Sequence, residues 1–324
     1  MFLPEYTITT GILQNIAVTE YGKAIIENTT ILPNWERQLK REAKIDFIKN
    51  SLKMEKIALE ERKIKEAVDK ISKAKESPAK HLVETLALLE KAASQQTIEE
   101  DTIKKLATST LQKQVKYRST KLHDKTSPEE ILAQLVELID WYNSMDAMET
   151  HPVLRAGILK AQIETIWPFE EKNVLISNLL NKLSLKMSGY GISDYVCLEN
   201  FFVRSAADYN VAITSIALND NDLTEWLEYY TDATASETAG VKEKVLLLAK
   251  DTKVAKASGK IQLSPRQERI VVYLQDYGML QNKDFGRLFP DISEDTVLRE
   301  LKKLMDRGVV VKRGKTKSSR YELN

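Results

Sequence analysis

Residues 166–178 read IWPFEEKNVLISN and hold the side chains of this chain that are best suited to chemistry. Two acids, Glu170 and Glu171, stand beside Lys172 and Asn173 directly before a run with helical periodicity. A helix N-terminus binds anions through its free N–H groups. The helix dipole favours acids at this place in any case, so the stretch also suits an ordinary helix start.

Helices must position these residues, because apolar positions three and four apart dominate the chain. Its 43% hydrophobic and 29% charged content is ordinary for a globular protein, and 324 residues suffice for about two domains. Ser127 and Pro128, followed by two acids, predict a helix start, with Ser127 as the N-cap. Further helices are predicted over 152–166, 172–188 and 197–217 and from 222, with a connecting helix after 240. We therefore expect a mainly α fold.

The C-terminal segment predicts a small domain of another kind. Ser264, Pro265 and Gln267 form a capping box that starts one helix, NKDFGRLFP gives a short second helix, and Ser293 caps a third that ends at Gly308. After it, VVVKRGKTKSSRYEL predicts two strands around a basic turn. Three helices and a β-hairpin resemble a winged helix-turn-helix domain.

The order of motifs over about residues 5–235 resembles the Fic (Fido) family, whose members transfer AMP from ATP to a hydroxyl of a target protein. The family signature is His-Pro-Phe-x-Asp/Glu-Gly-Asn-Gly-Arg-x-x-Arg, in a loop that leads into a helix. Four positions match this signature, namely Pro168, Phe169, Glu171 and Asn173. Five depart from it: Trp167 stands for the His, Lys172 and Val174 for the two Gly, and Leu175 and Asn178 for the two Arg.

Each departure removes a group that the resemblance would require. The indole of Trp167 carries only a donor N–H and cannot serve as the general base. Val174 would be strained wherever the loop needs a positive φ, and neither Leu175 nor Asn178 can neutralise a phosphate. Lys160 stands where many relatives carry a second His. We expect a degenerate signature with no catalytic residue, no bound metal and no cofactor; ATP and Mg²⁺ would bind only if the chain were an active, divergent transferase.

A second resemblance lies upstream, where Ser51 and Glu55 match the inhibitory Ser/Thr-x-x-x-Glu-Gly/Asn helix that precedes many Fic cores. Lys56 replaces the last residue of that motif. In the family the Glu pairs with the second signature Arg, which is Asn178 here. We therefore expect Glu55 to have lost its arginine target.

The third helix and the hairpin of the C-terminal segment carry a basic surface. Residues 251–324 hold 16 Lys and Arg against 10 Asp and Glu, a net charge of +6, whereas residues 1–250 carry −5. In winged helices the third helix enters the major groove and the wing contacts the flanking backbone. The predicted DNA-contacting residues are Thr296, Arg299, Lys302, Lys303, Lys312, Arg313, Lys315, Lys317 and Arg320. Winged helices also serve as protein-interaction modules, and Glu294 and Asp295 would repel phosphate.

These patterns predict four segments: an N-terminal helical region (1–110), a Fic-like core (111–235), a connecting helix and linker (236–261, with the boundary near 258–262) and a winged-helix domain (262–324). Cys197, which has no His or Cys near it in sequence, is interpreted as a reduced core residue. No run is apolar enough to span a membrane and no secretion signal is visible, so we expect a cytoplasmic protein.

Two functions follow from the sequence. One is a catalytically degenerate Fic-like regulator of transcription or defence that binds double-stranded DNA; the other is an active, divergent AMP transferase. The sequence leaves open whether the chain also binds a protein partner and whether it forms a homodimer.

Overall fold

The computed structural model of the chain describes residues 2–72, 74–123, 125–257, 263–290, 292–314 and 319–323. Helices dominate these residues, which confirms the mainly α fold. Across the described ranges no helix has both the length and the apolar composition that a lipid bilayer would require. In chain order the helices are α1 (Thr10–Asn28), α2 (Pro33–Met54), α3 (Glu61–Asp69), α4 (Pro78–Ala92), α5 (Glu100–Leu111), α6 (Ile131–Tyr142), α7 (Met145–Glu149), α8 (Pro152–Ile166), α9 (Asn173–Met187), α10 (Glu199–Arg204), α11 (Ala206–Leu218), α12 (Thr224–Ala257), α13 (Pro265–Tyr277), α14 (Phe285–Leu288) and α15 (Glu294–Asp306).

The chain divides into two compact units. Unit 1 comprises Met1–Asn28 and Lys40–Lys244, and unit 2 comprises Thr29–Leu39 and Val245–Asn324. Helices α2 and α12 therefore contribute residues to both units. The predicted linker at 258–262 lies outside the described residues.

The core of unit 1 is built around α8 and α9. Their bounds agree with the helices predicted over 152–166 and 172–188. Both helices are buried around nearly their whole circumference, so polar side chains such as Lys160 and Glu164 lie inside the protein. A helix that is buried all round must satisfy each of its polar side chains internally, and this requirement shapes the candidate site.

Close packing of α8 depends on Gly157. A Cβ atom at this position would lie 2.7 Å from the ring of Tyr230 on α12. Trp226, one turn earlier on α12, donates its Nε1–H to the carbonyl of Gly157 at 2.9 Å. The glycine therefore lets an aromatic face rest directly on the helix backbone.

Three local predictions differ from the structure of unit 1. Helix α6 begins at Ile131 rather than at Pro128, because Ser127 Oγ donates to Glu130 Oε2 at 2.9 Å instead of capping a backbone N–H. The helix predicted over 197–217 is broken at Ser205 into α10 and α11. The helix predicted from 222 and the connecting helix are one continuous helix, α12, of 34 residues.

Unit 2 contains α13, α14, α15 and a three-stranded antiparallel sheet in the order β1 (Leu280–Gln281), β3 (Arg320–Leu323), β2 (Val310–Arg313). The predicted capping box of Ser264 and Gln267 is present at the start of α13. Ser293 precedes α15 without capping a backbone N–H; its Oγ lies 3.0 Å from Thr296 Oγ1. The two-residue strand β1 was not predicted. The core of this unit is formed by Ile270, Val271, Leu274, Leu280, Phe285, Leu288, Phe289, Val297, Leu301, Leu304, Val310, Tyr321 and Leu323.

Candidate functional site

The turn between α8 and α9 carries left-handed backbone at both of its ends. Trp167, which ends α8, has φ +52°, and Lys172, which precedes α9, has φ +58°. For residues other than glycine this conformation costs roughly 1–2 kcal/mol each. Val174 instead lies in the first turn of α9, and the positive φ falls on Lys172.

Asn173 and Phe169 hold this turn together. Asn173 Oδ1 accepts the backbone N–H of Phe169 at 2.9 Å, and Asn173 Nδ2 donates to the carbonyl of Phe169 at 2.7 Å. Both side chains are buried, and the Phe169 ring lies 6.0 Å from that of Tyr117. In this structure Asn173 therefore stabilises the loop through the loop's own backbone.

The two acids of the turn are both engaged by the segment after α5. Glu170 Oε1 accepts the backbone N–H groups of Ser119 and Thr120 at 2.8 and 3.2 Å, and the hydrogen bond from Ser119 lowers the pKa of Glu170. Glu171 pairs with Lys113, which lowers the pKa of Glu171. Across the described residues no cluster of three or more His, Cys, Asp or Glu side chains could hold a metal ion.

Arg118 holds the turn from the other side, and the sequence analysis did not identify it. Its guanidinium is buried and donates to the carbonyls of Trp167 at 3.0 Å and of Thr126 at 2.5 Å, and also to that of Thr120. Its backbone N–H donates to the carbonyl of Pro168 at 2.8 Å. Cations stabilise helix C-termini, and the acceptors of the Arg118 guanidinium lie up to 49 residues away, so no local motif reveals its role.

Glu55 reaches the N-terminus of α9. Its Oε1 accepts the backbone N–H of Leu175 at 2.9 Å. Burial raises the pKa of Glu55. Glu55 therefore has a partner other than the arginine that the resemblance implies: its carboxylate accepts a backbone N–H in the first turn of α9, where N–H groups attract anions.

Ser51 contacts the same helix, because its Oγ accepts from Asn178 Nδ2 at 3.2 Å. The two residues of the upstream motif thus meet two signature positions of α9, over sequence separations of 120 and 127 residues.

A buried polar network surrounds Lys160. Its ammonium donates to Glu164 Oε1 at 2.7 Å, to Asn178 Oδ1 at 2.6 Å and to Ser177 Oγ at 3.0 Å. Tyr209 Oη and Ser177 Oγ also donate to Glu164 Oε1, each at 2.6 Å. Lys160 is fully buried, so its charge is neutralised within the protein and is not presented to solvent.

The predicted DNA-contacting residues of unit 2 differ in how far their charges are already paired. Arg299 and Lys302 are exposed on α15 and make no ion pair with the described residues, and Thr296 is half-buried beside them. Lys303 pairs with Glu300 at 2.9 Å. On the strands, Arg313 and Arg320 both pair with Glu322, and the Lys312 ammonium lies 5.8 Å from the Tyr321 ring centroid. Lys315 and Lys317 lie outside the described residues.

Glu300 on α15 faces inward. It accepts from Gln267 Nε2 at 2.6 Å and from Ser264 Oγ at 3.4 Å, at the start of α13. One of the acids that the sequence places within this basic region therefore does not face solvent.

Comparison with known proteins identifies the fold. No family model matches the sequence. A stretch of 64 residues is 33% identical to protein adenylyltransferase fic-1 of Caenorhabditis briggsae, covering 20% of this chain and 13% of that protein. A Fic family protein from Desulfovibrio desulfuricans G20 superposes with a TM-score of 0.62 at 18% identity over 100% of this chain and 98% of its own. Fic-1 from C. elegans gives a TM-score of 0.60 at 18% identity over 74% of each chain. The chain has the fold of Fic proteins.

Proposed function

We propose that this chain is a Fic-fold protein that does not transfer AMP and that acts as a DNA-binding regulator through a winged helix in unit 2. The observation that carries the first half is the buried network at Asn178, the position of the second signature arginine. Asn178 accepts from Lys160, and the charge of Lys160 is paired with Glu164. The ammonium of Lys160 is thus buried and paired, whereas AMP transfer needs positive charge aimed at phosphate oxygens.

Trp167 supports the same conclusion. Its indole cannot accept the proton of an attacking hydroxyl, and general base catalysis contributes about 10²–10⁴ to a rate. The ammonium of Lys125 lies 4.9 Å from the centroid of the Trp167 ring, so the ring face is also covered by a cation.

The residues present do not fit a bound Mg²⁺–nucleotide. Glu171 is paired with Lys113, and the N–H of Leu175 in the first turn of α9 donates to the Glu55 carboxylate. An anion at this helix end would have to displace a carboxylate that already makes its hydrogen bonds.

DNA binding by unit 2 is supported by the exposed basic face of α15. Arg299 and Lys302 are three residues apart and lie on one side of the helix, while Glu300 between them turns into the protein. Positive groups on such a face attract the phosphate backbone, and groups that reach base edges discriminate sequences.

A second candidate function is protein adenylylation by a divergent mechanism. It is favoured by the 64-residue similarity to protein adenylyltransferase fic-1. That stretch spans a fifth of the chain, so this similarity is compatible with either function.

Incubation of the purified protein with ATP and Mg²⁺ or Mn²⁺, followed by mass spectrometry, separates these two functions. We expect no AMP on the protein itself or on added proteins. The Glu55→Gly variant should likewise bind no ATP in calorimetry, because it uncovers the helix end but restores no arginine. AMP on a Ser, Thr or Tyr, or ATP binding by the variant alone, would support the transferase.

DNA binding is tested with fluorescence anisotropy of the full chain on pooled genomic fragments over a salt series. Replacing Lys315, Lys317 and Arg320 with Ala should lower the magnitude of the salt slope by about 0.9 for each phosphate that the protein no longer neutralises, nearly equally for all sequences. Changing Arg299 or Lys302 should instead reduce discrimination between a preferred site and random DNA. Absence of binding at low salt would reassign unit 2 as a protein-interaction module.

A further inference from the structure

A small cavity lies inside unit 1, away from the turn that carries the signature. Residues of α9, of the 3₁₀ turn Gly191–Asp194 and of α12 line it, and its volume is about 20 Å³. Its lining mixes apolar side chains such as Phe47 with polar ones, among them Asn181, Lys182, Ser193, Glu199 and Thr238.

Two hydroxyl groups in this lining have no hydrogen-bond partner among the described residues. Ser193 Oγ belongs to the 3₁₀ turn and Thr238 Oγ1 to α12, and their side chains are 4% and 0% exposed. Thr231 and Thr234 on the same helix bond to carbonyls one turn earlier, at 2.7 and 2.9 Å. A buried hydroxyl without a partner is rare in a folded protein, so this pair points to a ligand in the cavity.

The other polar groups of the lining limit what that ligand can be. Lys182 donates one of its three N–H groups to the carbonyl of Ser193. Glu199 Oε2 accepts from Cys197 Sγ at 3.3 Å and retains further acceptor capacity. The Lys182 ammonium would repel a bound cation, and the Glu199 carboxylate would repel a bound anion. A neutral molecule that both donates and accepts hydrogen bonds therefore suits the lining best.

The volume of the cavity limits the ligand further. One water molecule needs roughly 10–15 Å³ of such volume and two to four polar partners, and a cavity of about 20 Å³ with this lining meets both conditions. Burial lowers the pKa of Lys182 and raises that of Glu199.

We propose that this cavity is a binding site for one ordered water molecule, which bridges Ser193 Oγ and Thr238 Oγ1 and so joins the 3₁₀ turn to α12. The bridge is independent of nucleotide or DNA binding. It belongs to the packing of unit 1 and goes beyond the proposed function.

Thr238→Val tests the proposal because valine keeps the shape of threonine and removes only the hydroxyl. In urea unfolding of the full chain, followed by the fluorescence of Trp141, Trp167 and Trp226 in unit 1, the variant should lower the folding equilibrium constant about fivefold, the loss of one hydrogen bond. Ser193→Ala should cost a similar factor. The double variant should cost less than the product of the two, since both changes empty the same water site.

If the cavity holds no water, Thr238→Val should change the folding equilibrium constant in the opposite direction. Thr238→Val would then raise the equilibrium constant, because it would remove an unpaired buried hydroxyl and add apolar contact, and this result would overturn the proposal. Thr231→Val, on the same helix but outside the lining, is the matched control: it removes a hydroxyl that bonds to a carbonyl, so its effect should not depend on Ser193→Ala.

Crystallography identifies the ligand directly. Density for one light atom within about 3.2 Å of both hydroxyl oxygens would support a water molecule. Anomalous density at the same place after a bromide soak would show an anion site and contradict the proposal, as would the absence of any density between well-ordered Ser193 and Thr238.

Discussion

At the scale of single residues, Glu55 links two segments that lie far apart in the sequence. Its carboxylate accepts the backbone N–H of Leu175 on α9 while burial penalises its charge, and the net effect is a raised pKa. A carboxyl group whose folded pKa lies above its unfolded value contributes stability below the unfolded pKa, and this contribution is lost as the pH rises through the folded pKa.

Glu55→Gln therefore has a pH-dependent effect on stability. Glutamine keeps an oxygen that can accept from Leu175 N, but it carries no charge to desolvate. The stability of the variant relative to wild type should rise from about pH 4 to about pH 7 in urea titrations. Glu61→Gln is the opposite control, since Lys65 lowers the pKa of Glu61 and that variant should lose stability relative to wild type as the pH rises. Parallel pH curves for both variants would refute the role of burial at Glu55.

Lys160 is the second residue whose environment makes a sharp prediction. Lys160→Met leaves the Glu164 carboxylate buried without its cation, and we expect a loss of about 3–5 kcal/mol of unfolding free energy. Lys105→Ala removes an exposed pair with Asp101 and should change the unfolding free energy much less.

The double variant Lys160→Met, Glu164→Leu tests whether the loss of stability comes from the unpaired charge of Glu164. It should recover part of the loss, because no unpaired charge then remains in the core. A Lys160→Met variant as stable as Lys105→Ala would show that Lys160 is solvated in solution.

At the scale of elements, local sequence patterns predicted the features that interactions between neighbouring residues determine. The bounds of α8 and α9 and the capping box of α13 follow from residues within a few positions of one another. The roles of Arg118 and Glu55 were missed because their partners lie 49 and 120 residues away. Strand β1, with two residues, carries too little periodicity to be recognised before β3 pairs with it.

Two glycines in helices of unit 1 should respond to alanine in opposite directions. Gly157→Ala places a Cβ against the Tyr230 ring and should destabilise unit 1 by roughly 1–3 kcal/mol. Gly240 on α12 has no neighbouring atom within 4 Å of the added Cβ, so Gly240→Ala should stabilise the helix by about 0.5–1 kcal/mol. Thermal unfolding followed by circular dichroism measures both. Equal shifts would mean that the approach of Tyr230 to α8 is looser than described.

At the scale of the whole molecule, the division into units does not follow the order of the chain. Residues 29–39 belong with residues 245–324, and Arg37 Nη1 donates to the carbonyl of Leu323 at the end of β3 at 3.2 Å. A fragment that begins at residue 245 therefore lacks part of its own unit.

We expect the isolated fragment 245–324 to be less stable than the same residues in the full chain. Amide hydrogen exchange of β1 and β3 should be faster in the fragment, because the end of β3 then lacks its hydrogen bond from Arg37. Arg41→Ala in the full chain, which removes an exposed pair with Asp69 in unit 1, should leave these rates unchanged. Equal exchange in fragment and full chain would show that residues 29–39 do not support the sheet.

The contact between Lys160 and Asn178 also restricts how this sequence can change. An arginine at position 178 would set a guanidinium beside a fully buried ammonium, and two like charges at such a distance repel strongly in a protein interior. Lys160 would have to be replaced before or together with Asn178. Replacing Lys160 alone, however, leaves the carboxylate of Glu164 buried without its cation. Each single step toward an arginine at this helix passes through a less stable protein, so the present arrangement is separated from an arginine-bearing one by a mutational barrier.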